Sequence, residues 1–493
     1  MLLSKEWMER NGEELRDGDY PERMIQIGEG NFLRGLVDWL IHQLIVNGKY
    51  DGRVIVSNPR PTGAQKIREF KQQDGLYTVW RRGMENGNLV DERDIVRSVS
   101  RSLNPYEEWQ EFLACARNPS IDIVISNTTE AGLTYLEEAL DLERCPTSYP
   151  AKLTAYLFER YRALSGAPSA GLDIVPCELV ENNGDLVREL VLRCAASWGL
   201  PREFTAWVKE HNYFYNTLVD SIVTGFNTAD KRLLQEEVPY EDSLGVIREP
   251  FYLWVIQGPP RLQTKWDFPS LGLNVRYEPD VAPFRLIKVR ILNGSHTSLA
   301  GLSFLAGLVT VRDAMTHDVM GPFVHALIHN EIIPAASMQG VPESEATRFA
   351  AAVVERFSNP LLRHEIASLQ LNGLSKVTVR ILPTLHDFVA KTGEIPTLLT
   401  LAIAGQLLYY KNAENEEDGW IIKDNEEHVQ LVAAAWSLEE SDGLFAAVSR
   451  ILGLEAIWGE DLNQVPGLAE TITSHIAALQ GEGVLGAVSN ALN

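Results

Sequence analysis

The sequence predicts two domains of different class, an α/β half built on a largely parallel sheet and then a mainly helical half. Short apolar strands alternate with helical stretches as far as Glu278, the order that builds a parallel sheet. From Pro283 onward the strand signals fade and helical periodicity takes over. The length of 493 residues is also more than one ordinary core accommodates.

Composition narrows the function. With 45% hydrophobic and 23% charged residues the chain reads as a globular protein in water. A net charge of −23 argues against a nucleic-acid partner, since no basic surplus exists to displace phosphate counterions. An anionic ligand would need a local cluster of Arg or Lys against that field. The four cysteines (Cys115, Cys145, Cys177, Cys194) show neither C-x-x-C nor metal-ligand spacing. They read as reduced thiols of a cytoplasmic protein without a metal site. The N-terminal stretch lacks a signal peptide's apolar core. The best apolar run, Ile395 to Gly405, is far shorter than the ~20 residues a membrane helix needs. The expectation is therefore a cytoplasmic chain with no membrane partner.

Met24 to Gly28 reads as the first strand, followed by Gly28-Glu29-Gly30-Asn31-Phe32-Leu33-Arg34-Gly35 and a helical pattern from Leu33 to Leu44. Strand, glycine turn and helix in that order are the context of a dinucleotide-binding loop. Gly28 would permit the tight turn, Gly30 would let the backbone approach a pyrophosphate, and the helix start would offer N–H groups. The third glycine is replaced by Leu33, with Gly35 two residues on, so an ordinary strand-to-helix turn stays open. Arg53 to Ser57 is the second strand. Asn58-Pro59-Arg60 follows, where an acid often holds the ribose of NAD; none stands here, so NAD and NADP are not separated.

Ile121 to Ser126 is a later strand, ending in the polar turn Asn127-Thr128-Thr129-Glu130. Ligands sit at such strand ends in open α/β sheets, and a helix start capped by Thr128 or Thr129 is compatible with that. The strand at Ile174 runs into Asn183-Gly184, turn chemistry first and a candidate amide second. Asp220 is an acid among apolar residues, either a paired structural group or a site residue. The domain boundary falls in Glu278 to Arg285, giving a Rossmann-like dinucleotide-binding domain over 1–282 and a helical substrate and catalytic domain over 283–493. Helices are expected over 300–311, 323–333, 345–357, 396–410 and 428–436, and an acidic loop over 412–418.

Just past the boundary, Lys288-Val-Arg-Ile-Leu-Asn293-Gly-Ser-His296 puts a lysine, an amide and an imidazole within nine residues. On an α-helix Lys288, His296 and Asn293 fall at roughly 0°, 80° and 140°, one continuous sector. That sector suits alcohol–ketone chemistry. A desolvated lysine can move the hydroxyl proton, and an amide can hydrogen-bond the carbonyl oxygen. A helix with a solvated lysine and an incidental histidine is the plainer alternative. From this position the helix can reach toward a nicotinamide held by the first half, as pockets often form between domains.

With these residues assembled the chain resembles the mannitol dehydrogenase family, the polyol-specific long-chain dehydrogenases. The likeness runs along nearly the whole chain, including Pro21 to Arg34, Gln73 to Tyr77, Ser126 to Gly132, Ser148 to Thr154, Pro176 to Leu179, Asn216 to Asp220, Lys288 to His296, Arg356 to Pro360 and Gln464 to Leu468. The K-x4-N-x2-H element and the G-x-G-N-F-x-R loop mark the family. Ser126 to Gly132 and Cys177-Glu-Leu179 point to a branch acting on uronates. The resemblance implies NAD-dependent, metal-independent hydride transfer to a small keto-sugar acid, tagaturonate going to altronate in hexuronate catabolism. Fructuronate, mannitol or another polyol are the alternatives, and a nucleotide-binding regulatory protein without catalysis is a remote one. It further implies Lys288 as general acid/base, Asn293 and Asn183 as donors to the carbonyl oxygen, and His296 and Asp220 as residues that position substrate and organise the lysine. The expected cofactor contacts are Gly28, Glu29, Gly30, Asn31, Phe32, Arg34, Asn58, Asn127 and Thr128. Two departures stand out. Ser221 occupies a position where the family usually has Arg, and the family's downstream basic substrate residue has three candidates, Arg363, Lys376 and Arg380, of which Lys376 is taken. The oligomeric state is left open.

Overall fold

The computed structural model describes residues 1–12, 20–128, 132–361, 363–411 and 422–493. Thr129, Glu130 and the acidic stretch 412–418 lie outside the described residues. The chain divides into two compact units, Met1–Arg82 with Leu89–Val281, and Gly83–Asn88 with Ala282–Asn493. The short segment 83–88 was not separable by sequence reading. It is a hairpin turn whose Asn86 and Gly87 N–H groups donate to the Glu355 carboxylate at 3.2 and 2.6 Å.

The first unit is built on six strands: β1 (Glu22–Ile27), β2 (Arg53–Ser57), β5 (Val99–Leu103), β6 (Ile123–Ser126), β7 (Asp173–Pro176) and β8 (Tyr213–Phe214). Their order is β5-β2-β1-β6-β7-β8, and every neighbouring pair is parallel. This is the doubly wound Rossmann order 3-2-1-4-5-6. The central strands are covered on both faces. Met24, Ile25 and Ile27 of β1 and Val54, Ile55 and Val56 of β2 are all buried, and they divide between two apolar clusters. That double burial explains why these strands read as unbroken apolar runs rather than alternating ones.

Two smaller sheets complete this part of the chain. One joins β10 (Val223–Gly225), β11 (Val246–Arg248), β3 (Tyr77–Glu85) and β4 (Asn88–Val96); the other joins β13 (Val275–Glu278), β12 (Leu253–Gln257) and β9 (Asn216–Asp220). The largely exposed, charged β4, Asn-Leu-Val-Asp-Glu-Arg-Asp-Ile-Val, carries little periodic signal, so sequence reading passed over it. Gly35, two residues beyond the missing third glycine, serves contact between layers: a Cβ there would lie 2.5 Å from Val223 Cγ1.

In the second unit the regular structure among the described residues is helical, apart from the hairpin at 83–88 and an isolated bridge between Thr310 and Glu365. Helices Gly294–Leu305 and Thr397–Lys411 cross closely. A Cβ on Gly301 would stand 2.9 Å from Gln406 N, and one on Gly405 would stand 2.5 Å from Leu302 Cδ2. Thr397–Lys411 is buried on nearly every side, which accounts for the most apolar run in the sequence. Among the described residues no helix is long and apolar enough to cross a membrane. Three π turns interrupt the helices, at Lys288–Asn293, Leu327–Ile332 and Val377–Ile381.

Candidate active site

In the first unit the chain reverses direction across the sheet between β1 and β6, the position where open α/β sheets take ligands. Gly28 N donates to Ser57 O at 2.8 Å and Asn127 N to Ile27 O at 3.3 Å, so both strand exits are held in register. Gly28 has φ +146°, and a Cβ there would meet Leu33 Cδ1 at 2.8 Å and Asn127 O at 3.1 Å. Gly30 is exposed, and a Cβ on it would meet nothing within 4 Å. A cavity of about 290 Å³ opens here, bounded by Gly28, Glu29, Gly30, Arg60, Asn127 and Thr128, with Ser148 and Tyr149 at the start of helix Tyr149–Ala163. A strained glycine followed by an uncluttered one fits the close approach of a dinucleotide's phosphates to backbone N–H groups. Leu33 stands in place of the third glycine and opens the helix with a π turn, Leu33–Val37.

Four expected cofactor contacts do not line this cavity. Arg34 is buried and donates to Leu244 O at 2.7 Å and to Asn31 Oδ1 at 2.5 Å, so it clamps the loop from behind. Asn31 is thereby engaged with Arg34, and Phe32 packs against the apolar cluster. Asn58 is fully buried, its Nδ2 donating to Arg60 O at 2.5 Å. Glu29 does line the cavity, and burial pushes its carboxyl above the usual range against the pull of Arg60, Arg34 and Lys66. Glu178 holds the β6 exit. Its carboxylate accepts from Ser126 Oγ at 3.1 Å and from Thr128 N at 2.9 Å, while Asn127 Nδ2 donates to Cys177 O at 2.6 Å.

Asn183 opens helix Asn183–Ser197 directly after the β7 exit. It is fully buried, and its Nδ2 has acceptors at Pro176 O, Glu178 O, Thr217 O and Thr217 Oγ1, between 3.0 and 3.3 Å. Its Oδ1 accepts from Gly184 N and Thr217 N. As placed, the Asn183 amide ties the β7 exit to β9. Asp220 ends β9 and is buried. Ser221 Oγ donates to Phe251 O at 3.0 Å.

The second unit carries Lys288, Asn293 and His296 on one run, the π turn Lys288–Asn293 leading into helix Gly294–Leu305. A π turn closes i→i+5 bonds and advances less than 100° per residue. It therefore rotates Asn293 back toward the face of Lys288, closer than the α-helical projection placed it. Lys288 and Asn293 are half-buried, and the Asn293 carboxamide makes no hydrogen bond among the described residues. The opposite side of the run is fixed by buried Arg290, which donates to Thr384 Oγ1 and pairs with Asp387, both at 2.8 Å.

His296 is buried, with Nε2 lacking a hydrogen-bond partner among the described residues. Its ring stacks on Phe357 at 4.0 Å and meets His364 edge-on at 4.9 Å. Burial holds its imidazole well below the ordinary pKa, with His364, Arg356, Arg380 and Lys376 adding to the effect, so it is neutral at working pH. Lys376 Nζ donates to Leu369 O at 2.9 Å, and Arg380 Nη1 reaches Thr297 Oγ1 at 3.4 Å. Of this group the sequence points to Lys376 as the substrate cation. Arg356 lay inside a quoted motif and His364 gave no signal, because their approach to His296 is tertiary. Among the described residues no group of three or more His, Cys, Asp or Glu could hold a metal ion.

Two family models account for most of the chain, the mannitol dehydrogenase Rossmann domain over residues 22–269 and the mannitol dehydrogenase C-terminal domain over 280–480. The chain belongs to the mannitol dehydrogenase family. Members of this family are oxidoreductases acting on CH–OH groups. Within it, the chain is 40% identical to an altronate oxidoreductase of Halalkalibacterium halodurans, over 98% of this chain and 96% of that one. It is 39% identical to an altronate oxidoreductase of Bacillus subtilis, over 93% and 92% of the two chains. The fold matches Pseudomonas fluorescens mannitol 2-dehydrogenase, solved as a ternary complex with NAD and D-mannitol, with a TM-score of 0.71 at 23% identity and 99% of each chain covered. A D-sorbitol dehydrogenase in substrate-free form matches with a TM-score of 0.78 at 19% identity, over 99% of this chain and 100% of that one.

Proposed function

We propose that the chain interconverts D-altronate and D-tagaturonate with NAD(H), working in the cytoplasm in the breakdown of hexuronates. The observation that carries the reading is the second unit's single run of Lys288, Asn293 and His296, with the Asn293 amide unengaged among the described residues. The altronate oxidoreductase relatives at about 40% identity support the substrate. NAD is supported by the Rossmann strand order, the Gly28–Gly30 cavity and the NAD complex of the mannitol 2-dehydrogenase.

When bound, the nicotinamide gives or takes the hydride at the reacting carbon. In the reduction Lys288 delivers a proton to the carbonyl oxygen, and in the oxidation it accepts the hydroxyl proton. Asn293 donates a hydrogen bond to the same oxygen, which strengthens as negative charge builds on it. Neutral His296 offers its unpartnered Nε2 to a substrate hydroxyl. Phe357 and His364 fix the ring's orientation. The test is NADH oxidation with D-tagaturonate and with D-fructuronate, and with NADPH in parallel. Turnover of tagaturonate with NADH supports the reading; preference for fructuronate keeps the chemistry and replaces the substrate.

A further inference from the structure

We propose that Arg380 binds the substrate carboxylate and thereby selects a sugar acid over the neutral polyol of the same shape. The proposal rests on the altronate reading given above. Three cations compete for this role. Arg363 is exposed and pairs with Glu365 at 2.9 Å, so solvent and a neighbour already satisfy it. The Lys376 ammonium is directed at Leu369 O at 2.9 Å, and a compact ammonium lacks the paired donors that match a carboxylate edge. Arg380 is half-buried, and among the described residues it forms no ion pair. Its guanidinium has five N–H donors, of which one makes the long contact to Thr297 Oγ1 at 3.4 Å. A desolvated guanidinium left in that state calls for an anion.

Its location ties that need to the reacting groups. Thr297 follows His296 directly, and its Oγ1 donates to Asn293 O at 2.9 Å. A Cβ on Gly294 would lie 3.4 Å from Arg380 O, so the π turn Val377–Ile381 lies close against the run that carries Asn293 and His296. Arg356, His364 and Lys376 act on the same imidazole; burial is the largest influence on it, and the charged and titratable groups that add to burial are all basic. In a chain of net charge −23, this is the local concentration of positive potential that an anionic substrate requires. Arg380 supplies the fork that orients the carboxylate, and Lys376 and Arg356 add field without that geometry.

The test compares wild type, Arg380→Gln and Arg380→Lys on D-altronate and on D-altritol, the same polyol with CH2OH in place of the carboxylate. Kinetics are paired with calorimetric binding of both compounds to the NADH-loaded protein, and melting curves confirm folding. Arg380→Gln is expected to weaken altronate binding and raise its KM by about 100-fold, leaving altritol within about threefold. Arg380→Lys should recover part of the loss. Equal losses on both compounds, or no loss on altronate, would overturn the assignment while the altronate reading stands. Wild type that neither binds nor turns over altronate overturns both.

Discussion

The pair Gly28 and Gly30 separates structural from ligand-binding need within three residues. A methyl at Gly30 meets nothing within 4 Å, and the position lines the cavity. Gly30→Ala is therefore expected to leave the melting temperature unchanged while intruding where the phosphates approach. Losing one charge-assisted backbone hydrogen bond costs about 1.5–3 kcal/mol, a rise of roughly 10- to 150-fold in the NADH dissociation constant. At Gly28 the φ of +146° and contacts of 2.8 Å to Leu33 Cδ1 and 3.1 Å to Asn127 O penalise any side chain. Gly28→Ala should cost about 3 kcal/mol of stability, from backbone strain plus overpacking. Fluorescence titration with NADH and thermal melting of both variants give the comparison. An unchanged dissociation constant in a folded Gly30→Ala protein would remove the cofactor from this loop.

Asn293→Ala should lower kcat by about 100-fold with KM little changed, because the lost hydrogen bond matters most when the oxygen is charged; stopped-flow turnover at saturating substrate reads this. Arg290→Leu leaves Asp387 without its 2.8 Å partner and should cost about 3 kcal/mol in denaturant unfolding of the second unit. Buried Asp38 has its carboxyl pushed up to about 7 from an ordinary 3.8, chiefly by burial and against hydrogen bonds from Gln26 and Tyr77. Between those values the folded state holds a proton that the unfolded state has released. Stability from this group is therefore full below the lower value and is lost as pH rises to about 7, by roughly 4 kcal/mol in all. Asp38→Asn should flatten that dependence in urea unfolding across the same window.

The sequence reading succeeded where the signal was local. The strand ending at Ile27, its glycine turn and the apolar helix after it can be read within about twenty residues, because double burial and φ > 0 each leave a local residue signature. Partners far along the chain leave no such local signature. Arg34 stands in the glycine loop as an expected cofactor contact, and nothing near it in the chain announces its bond to Leu244 O, 210 residues away. The bonds between Asn183 and Thr217, 34 residues on, are equally invisible in the Asn183-Gly184 dipeptide. The π turn at Lys288–Asn293 was not legible either, since a single widened turn leaves no periodicity to detect. His364 and Arg380 join His296 only through tertiary packing of segments distant in sequence.

The central claim is that Lys288 moves the proton in altronate–tagaturonate interconversion. The most direct measurement is the single-turnover rate of NADH oxidation by tagaturonate in wild type and Lys288→Ala, both preloaded with NADH. Wild type is expected to oxidise NADH rapidly and the variant to lose at least about 1,000-fold, with NADH binding intact. Undiminished oxidation by Lys288→Ala would contradict that claim.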